Sequence, residues 1–397
     1  MRIGIVGAGL CGLASAALLA RDGHAVVLLE RARVARPIGA GLLLQPPGIA
    51  ILRELGALQA VAAQGAPVRH LDSRARGGAR LLDLHYADLA PGLYGLGLTR
   101  PAIWAALRDA ALEAGAELRQ GCGVESVAGA ADMAQATLAD GQRLDFDLLV
   151  VAAGTHAGLW TGRPGYRTRL YPWGCLWATV RLPPGWPLDV LAQRCDGTGI
   201  MLGVLPISLS DGEQLGALYW SIRNDRVAAW RAAPFEDWRA QVARTWPEAG
   251  DLLRGLTHAE VEHATYRDVW AAPPHDGRMV VMGDAAHGTS PQLGQGTTQA
   301  LRDARALAEA LRRDGPIMDR LGAYWQERRR RTAYYRLASR ALTPVFQSDI
   351  PGLGWLRDRL AGPVGQIPMV RRQALLTLAG LKSGLWSADE PSHIPGA

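Results

Sequence analysis

A chain of 397 residues, 48% of them apolar, carries enough apolar material for a large core and excludes extensive disorder; its length suits two intertwined domains better than one. The formal net charge of +6 is almost wholly arginine scattered along the chain, because Lys382 is the single lysine, and that pattern excludes a dedicated nucleic-acid surface. The four cysteines show neither metal spacing nor disulfide density, so no metal site is expected and a reducing, cytoplasmic compartment fits; no apolar run approaches the roughly 20 residues of a spanning helix.

Arg2 to Val6 reads as a short buried strand, followed at once by Gly7-Ala8-Gly9-Leu10-Cys11-Gly12 and a helical segment, Leu13 to Arg21. Arg2 and the small residues near Ala14 to Ala17 give this stretch the outline of a signal peptide, but the glycines within it argue otherwise. Gly7 permits a tight turn, Gly9 lets a pyrophosphate approach the backbone, and Gly12 lets the helix sit close to the strand. The helix start, with Leu10 and Cys11, offers unpaired amides and a partial positive charge to phosphates. A second strand, Ala25 to Leu29, ends at Glu30, where a carboxylate can accept hydrogen bonds from ribose hydroxyls. Both NAD and FAD use such a turn, so the opening alone does not choose between them.

A further apolar run, Asp147-Leu148-Leu149-Val150-Val151, leads into Ala152-Ala153-Gly154. Between Tyr166 and Trp270 the pattern alternates, as in Trp177 to Leu182 and Leu218 to Arg223, and this region holds many of the 13 tryptophans. Trp173, Trp177 and Trp220 are candidates for an aromatic pocket, although a strand tryptophan is more often core. Trp230, Trp238 and Trp246, eight residues apart on one helical stretch, share a face and read as packing residues.

Met279 to Met282 reads as a strand entering Gly283-Asp284-Ala285-Ala286-His287, then Pro291, then Gly294-Gln295-Gly296, then a helix from about Thr298 to Leu311. The Gly-Gln-Gly turn opens a helix whose dipole and backbone amides can stabilise negative charge. His287, beside a glycine turn, reads as a packing or hydrogen-bonding residue. Arg328 to Arg331 fan around a helix and read as a solvated surface. After about residue 335 the chain reads as helical and irregular by turns, broken at Pro344, Pro351, Pro363 and Pro368. Apolar faces at Trp355 to Leu360 and Met369 to Leu381 suit burial against their own domain, with weak membrane or subunit contact as the alternative. The last dozen residues read as loose.

The block GDAAHGTSPQLGQGTTQALRDA, in order after the N-terminal turn, resembles the second flavin motif of the FAD-dependent aromatic-ring hydroxylases, the para-hydroxybenzoate hydroxylase-like flavoprotein monooxygenases. The resemblance implies an α/β fold: a Rossmann-like FAD-binding domain (1–70, 98–163 and 272–335), an inserted β-sheet substrate domain (71–97 and 164–271) and a C-terminal helical segment (336–397). It implies that Asp284 binds the ribityl chain of FAD with Thr297 nearby, and that Pro291, Gly294, Gln295 and Gly296 flank the reacting edge of the ring. Glu30-Arg31 and Arg36 to Leu42, with Gly41, are similar to the loop passing beside the flavin. Thr99-Arg100-Pro101 resembles the place where the family sets an arginine against the phosphates, and Val124 falls at an adenine contact.

The middle motif departs from the family. Ala153 stands where an acid is usual before Gly154, and Ala157 and Trp160 replace a serine and an arginine. NAD(P)H is the reductant that the resemblance implies; the departure opens a second route, flavin reduced by a separate reductase. Arg302 and Thr298 also replace an acid and an asparagine. The implied activity is transfer of one oxygen atom from dioxygen, through a flavin hydroperoxide, to an aromatic or conjugated small molecule, as in natural-product tailoring. Dehydrogenation or redox-neutral rearrangement without oxygen insertion is the rival, and a non-enzymatic flavin holder is a further one. A flavin halogenase is disfavoured because Lys382 lies far into the tail. No catalytic base stands out, with Tyr171, Tyr219, His258 and His263 as undiscriminated orienting groups, and the cofactor itself carries the reactive atom.

Overall fold

The apolar strand Arg2–Val6 lies within a six-stranded sheet ordered His275–Asp276, Met279–Val281, Leu148–Val151, Arg2–Val6, Ala25–Glu30, Glu117–Gln120. The structure, a computed structural model, describes residues 1–34, 41–130, 132–155, 158–209 and 213–391. Its inner strands are apolar throughout because both faces are covered. Ile3, Ile5, Leu28, Leu148, Val150 and Val280 face helices Leu10–Arg21, Arg100–Glu113 and Gly296–Leu311. Val6, Leu29, Leu149, Val151 and Val281 meet an antiparallel layer of Val124–Gly129, Ala134–Leu138 and Arg143–Phe146. Each such side chain contributes about 1.5–3 kcal/mol by leaving water.

Register sets the position of the site. Val6 pairs with Val151, and Val151 with Val281, all in parallel, so the turns after the three strands emerge side by side. Open α/β sheets bind ligands at that carboxyl edge.

A second, seven-stranded sheet runs Val261–Ala271, Tyr166–Arg181, Leu215–Arg223, Ile200–Ser208, Val190–Asp196, His70–Ala75, Arg80–His85. Period-two alternation divides its faces. Leu176, Leu202, Val204, Leu218 and Trp220 lie under helices Val227–Ala232, Phe235–Thr245 and Pro247–Leu252. Trp230, Trp238 and Trp246 do pack into that layer, but not from one helix: Pro234 caps a new helix between the first two, and Trp246 lies past its end. The other face, through Ile207 and Ala217, turns toward Gly41. A small sheet of Gly41–Leu44, Gly95–Thr99 and Ala66–Val68 joins the two units. There the backbones touch, since a Cβ on Gly97 would stand 1.9 Å from the Pro206 carbonyl oxygen.

The C-terminal part differs most from expectation. Helix Ile317–Phe346 runs through residue 335 and contains Pro344, and Leu353–Gly365 contains Pro363; neither proline breaks its helix. Each has only two helical residues after it, so the one amide bond it cannot make and the distortion from its ring leave the rest of the helix intact. Arg328 and Arg331 are not solvated: they are 2% and 5% exposed, and both are ion-paired. The tail divides. Leu375, Leu376, Ala379 and Leu381 are buried, whereas Trp355, Leu356, Leu360, Val364, Ile367 and Met369 are exposed, so burial fails for the first apolar stretch and holds only for the later part of the second. Of the last dozen residues, Ala388 is held by a bridge to Lys382 and Asp389 by ion pairs, so this part is not loose. Residues 392–397 lie outside the described part. Among the described residues, no helix is long and apolar enough to cross a membrane.

Candidate active site

The first glycine turn is shaped by close backbone approach. Gly7 has φ +103°, and a Cβ there would lie 2.7 Å from the Ala152 carbonyl oxygen; a Cβ on Gly12 would lie 2.0 Å from the Gly7 oxygen. Gly9 has nothing within 4 Å of such a position, so its face is open to a ligand. Helix Leu10–Arg21 begins there without a side-chain cap and without an acid in its first turn, leaving the amides around Leu10 and Cys11 unclaimed by side chains.

Glu30 is held by backbone: Oε2 accepts from the Ala8 amide at 2.9 Å and Oε1 from the Ala32 amide at 2.9 Å. Each oxygen keeps a lone pair for a hydroxyl. Gly123 lies against the Arg31 side chain, and Val124 follows it on the same rim, half-buried. Trp104 Nε1 donates to the Ala8 carbonyl at 2.8 Å, which docks helix Arg100–Glu113 on the turn. Thr99 caps that helix by accepting from the Ala102 amide, and Arg100 stands exposed at its start, one turn before Trp104.

The late turn meets the first one. Gly283 has φ +61°, and a Cβ there would stand 3.2 Å from Cys11 Sγ. Burial, then the charges of Asp303 and Asp284, push the Cys11 thiol well up, so it stays neutral. Asp284 follows Gly283 and is exposed; its Oδ1 lies 3.7 Å from where a Gly296 Cβ would be. Gly294 adopts φ +60°, and helix Gly296–Leu311 also starts without a side-chain cap or an acid in its first turn, with Thr297 half-buried beside it. Two uncapped helix starts and Asp284 thus share one cleft. Pro291 is exposed at the head of the turn Pro291–Leu293. Gly154, at φ +73°, is open beside the Ala152 that touches Gly7. Gly41 lies further out, against Ile207 of the second sheet. Arg36 to Ala40 and Ala157 lie outside the described residues; Trp160 is buried, and Arg163 stacks on it and pairs with Asp276.

A buried network holds the late turn. Asp303, fully buried, accepts from the Gly283 amide at 2.8 Å, from His287 Nε2 at 2.5 Å and from Arg328 Nε at 2.6 Å. Burial pushes its carboxyl up, but His287 and Arg328 outweigh this and hold it well below the ordinary range. His287 is thus a hydrogen-bonding residue, as its place beside the glycine turn suggests. Ser290 Oγ lies 2.8 Å from Ser339 Oγ and 2.7 Å from Thr343 Oγ1, and Gln292 donates to Gln347 at 2.7 Å. The Gln295 side chain donates to the Leu378 carbonyl at 2.8 Å and to the Leu293 carbonyl at 3.3 Å, so it ties the turn to the tail. Arg302 reaches Asp389, which also accepts from Arg331. Asp303 escaped the sequence reading; its signal was an acid on the apolar face formed by Ala300, Leu301, Ala304 and Leu307.

Across the cleft, the substrate-type sheet presents Trp177 and Tyr219, with ring centroids 5.2 Å apart, and Tyr266 beside them. Tyr219 lies over Gly203, where any Cβ would meet its ring at 2.1 Å, and its hydroxyl accepts from Gln193. Burial pushes the phenols of Tyr219 and Tyr266 up, so both stay protonated. The strand of Tyr266 reaches the late motif, with the Val269 amide donating to the Gly288 carbonyl at 2.8 Å. Tyr171 lies beside Ser290 and Asp268. Trp173 shares the Trp177 face by alternation, but Trp220 points the other way and packs edge-on against Trp238, so it lines no pocket here. His258 and His263 likewise belong to the outer side, bonded to the Trp230 carbonyl and to Asn224. An open groove of about 1000 Å³ between Pro183–Pro187 and Trp246–Leu256 also lies on that outer side and holds none of these groups.

Residues 1–334 match the family described as FAD binding domain. The chain belongs to that family. It is 29% identical, over 94% of its length and 96% of the relative's, to a 2-heptyl-3-hydroxy-4(1H)-quinolone synthase of Pseudomonas aeruginosa. It is 28% identical to a 3-amino-4-hydroxybenzoate 2-monooxygenase of Streptomyces cremeus, over 91% and 96% of the two chains. The fold matches the tetrameric form of 2-methyl-3-hydroxypyridine-5-carboxylic acid oxygenase with a TM-score of 0.79 at 20% identity, covering 94% and 96% of the chains. FAD fits the cleft on its own terms: an open Gly9 face, two uncapped helix starts for negative charge, and two carboxylates for hydroxyls. The protein is an FAD-dependent monooxygenase of the aromatic-hydroxylase type.

Proposed function

We propose that the protein adds one oxygen atom to a conjugated, ring-bearing small molecule of the quinolone or aminohydroxybenzoate kind, as a tailoring step in natural-product synthesis. The observation that supports this reading is the meeting of Gly283 with Cys11, with the strand that carries Tyr266 tied to the same late turn at Gly288. Bound FAD supplies the oxygen-activating chemistry. Gly7, Gly9, Leu10, Cys11 and Gly12 receive the pyrophosphate with Arg100; Glu30 takes a ribose, and Arg31 and Val124 border the adenine. Asp284 and Thr297 hold the ribityl chain. Gly41 and Gly154 leave backbone clearance. The amides of Gln295 and Gly296, behind Pro291, would serve the place where negative charge develops, while the Gly294 amide is spent on the Pro291 carbonyl at 2.9 Å. Trp177, Tyr219 and Tyr266 stack on and orient the substrate and exclude water.

The test is turnover of an alkylquinolone and an aminohydroxybenzoate under labelled dioxygen. One labelled oxygen in the product is the expected result; an unlabelled product defeats the reading in favour of dehydrogenation or rearrangement.

NAD(P)H is the electron source on this reading. A second source, flavin reduced by a separate reductase, is favoured by the altered middle motif, where Trp160 is buried and Arg163 is engaged with Asp276. Anaerobic mixing with NADPH decides: rapid bleaching of the pure protein eliminates the partner reductase. The exposed apolar residues from Trp355 to Met369, near Arg359 and Arg372, support peripheral contact with an anionic lipid surface. Flotation with phosphatidylglycerol vesicles tests this, and failure to float removes it.

A further inference from the structure

The hairpin at the edge of the second sheet gathers three ligand-type side chains that the flavin chemistry does not use. His70 lies directly across the ladder from His85, and Asp83 is two residues before His85, so alternation puts all three on one face. The two imidazoles stack with centroids 4.0 Å apart and planes within 10°. Both aim Nε2 at the same oxygen, Asp83 Oδ1, from 2.8 Å and 3.5 Å. The ligand atoms all lie within 4.8 Å of one another, and this is the one such His/Cys/Asp/Glu group among the described residues.

An ordinary ion pair accounts for His70, which makes the hydrogen bond to Asp83. It does not account for His85, whose nitrogen faces the same oxygen without a bond of good length. A cation accounts for both. A tetrahedral ion with bonds of about 2.0–2.2 Å spaces its ligand atoms roughly 3.3–3.6 Å apart, inside the 2.8 to at most 4.8 Å span found here, and because an imidazole ligates in its own plane one ring turns out of the stack to share the ion. Asp83 Oδ2 is occupied by Arg80 at 2.6 Å, which leaves Oδ1 as a single, oriented ligand oxygen. The neighbouring carboxylate, Asp72, is taken by Arg74 and Arg194. His85 is 47% exposed, so the open coordination position faces water.

We propose that His70, Asp83 and His85 form a binding site for a divalent cation of the zinc class. Two imidazoles and one carboxylate favour zinc, copper or nickel over calcium or magnesium. The site also has a route to the cleft. His85 is followed by Tyr86, whose hydroxyl donates to Gln45 at 2.6 Å, just beyond strand Gly41–Leu44. A cation that clamps the hairpin steadies that tie.

The proposal stands apart from the reading of the flavin site, and its test reads metal, not turnover. Flavin-loaded protein freed of metal with a chelator is titrated with Zn2+ by calorimetry and with Co2+ by its visible ligand-field bands. One ion per chain is expected. His70→Ala, and His85→Phe, which keeps an aromatic ring beside His70 and removes the ligand nitrogens, each weaken uptake about 10–100-fold or more, with flavin content and circular dichroism unchanged. Absence of stoichiometric uptake, or uptake unaltered in His85→Phe, overturns the site.

Discussion

The two turns that meet at the cleft are built in opposite ways. The Gly7 to Gly12 turn is shaped by its own backbone, by Ala152 and by Glu30, and its shape follows from the absence of side chains. The Gly283 to Gly296 turn is suspended from elsewhere: Asp303 and Arg328 hold its beginning, Ser339 and Thr343 its middle, and Leu378 its end. A cofactor cradle can therefore fail through steric filling on one side and through remote charge on the other.

The largest effect is expected from filling the first turn. Gly12→Val sets a branched side chain where even a Cβ would be 2.0 Å from the Gly7 oxygen, so purified protein should be colourless and take up no FAD in titration. Next comes Asp303→Asn, which leaves Arg328 buried without its counter-charge and should cost about 3–5 kcal/mol in chemical denaturation. Because the Asp303 carboxyl is held below its unfolded value, its contribution is full above the ordinary carboxylate range and is lost as pH falls through that range toward the depressed value. The acid limb of a stability-against-pH curve should therefore flatten in Asp303→Asn. If stability and FAD affinity are both unchanged, the contrast between the turns is broken.

How much of this could be read from the chain alone follows the same division. The first turn was legible because strand, glycines, helix and acid are local, and each glycine has one steric reason to be there. The late turn was legible as a motif, but its supports were not. Arg328 and Arg331 look like surface cations until the partners Asp303 and Asp389 arrive from other helices and the tail. Trp220 was misassigned because alternation divides a strand into two faces without saying which face the cleft takes. Pro344 and Pro363 read as breaks because a proline's tolerance depends on its distance from a helix end, which only the fold supplies.

Two smaller effects sharpen the contrast. Asp389→Asn removes the carboxylate shared by Arg302 and Arg331, and burial, with Arg331 nearby, already pushes Arg302 down to about 10. A loss of about 2 kcal/mol and faster tryptic cleavage at Lys382 are expected, with the first turn unaffected. Trp104→Phe deletes the bond to the Ala8 carbonyl while keeping an aromatic ring beside Arg108, so about 1 kcal/mol and a several-fold weaker FAD affinity should follow, read by fluorescence titration.

The strand order of the first sheet also fixes a timetable for biosynthesis. Met279–Val281 must slot beside Leu148–Val151 after about 130 intervening residues have been made. The ribosome therefore releases the glycine-rich opening long before its counterpart exists, and the nascent chain carries an unfinished nucleotide cradle through most of translation. Capture of the yellow group becomes a late event that completes folding, so starving cells of riboflavin should lower the yield of native protein as well as its occupancy.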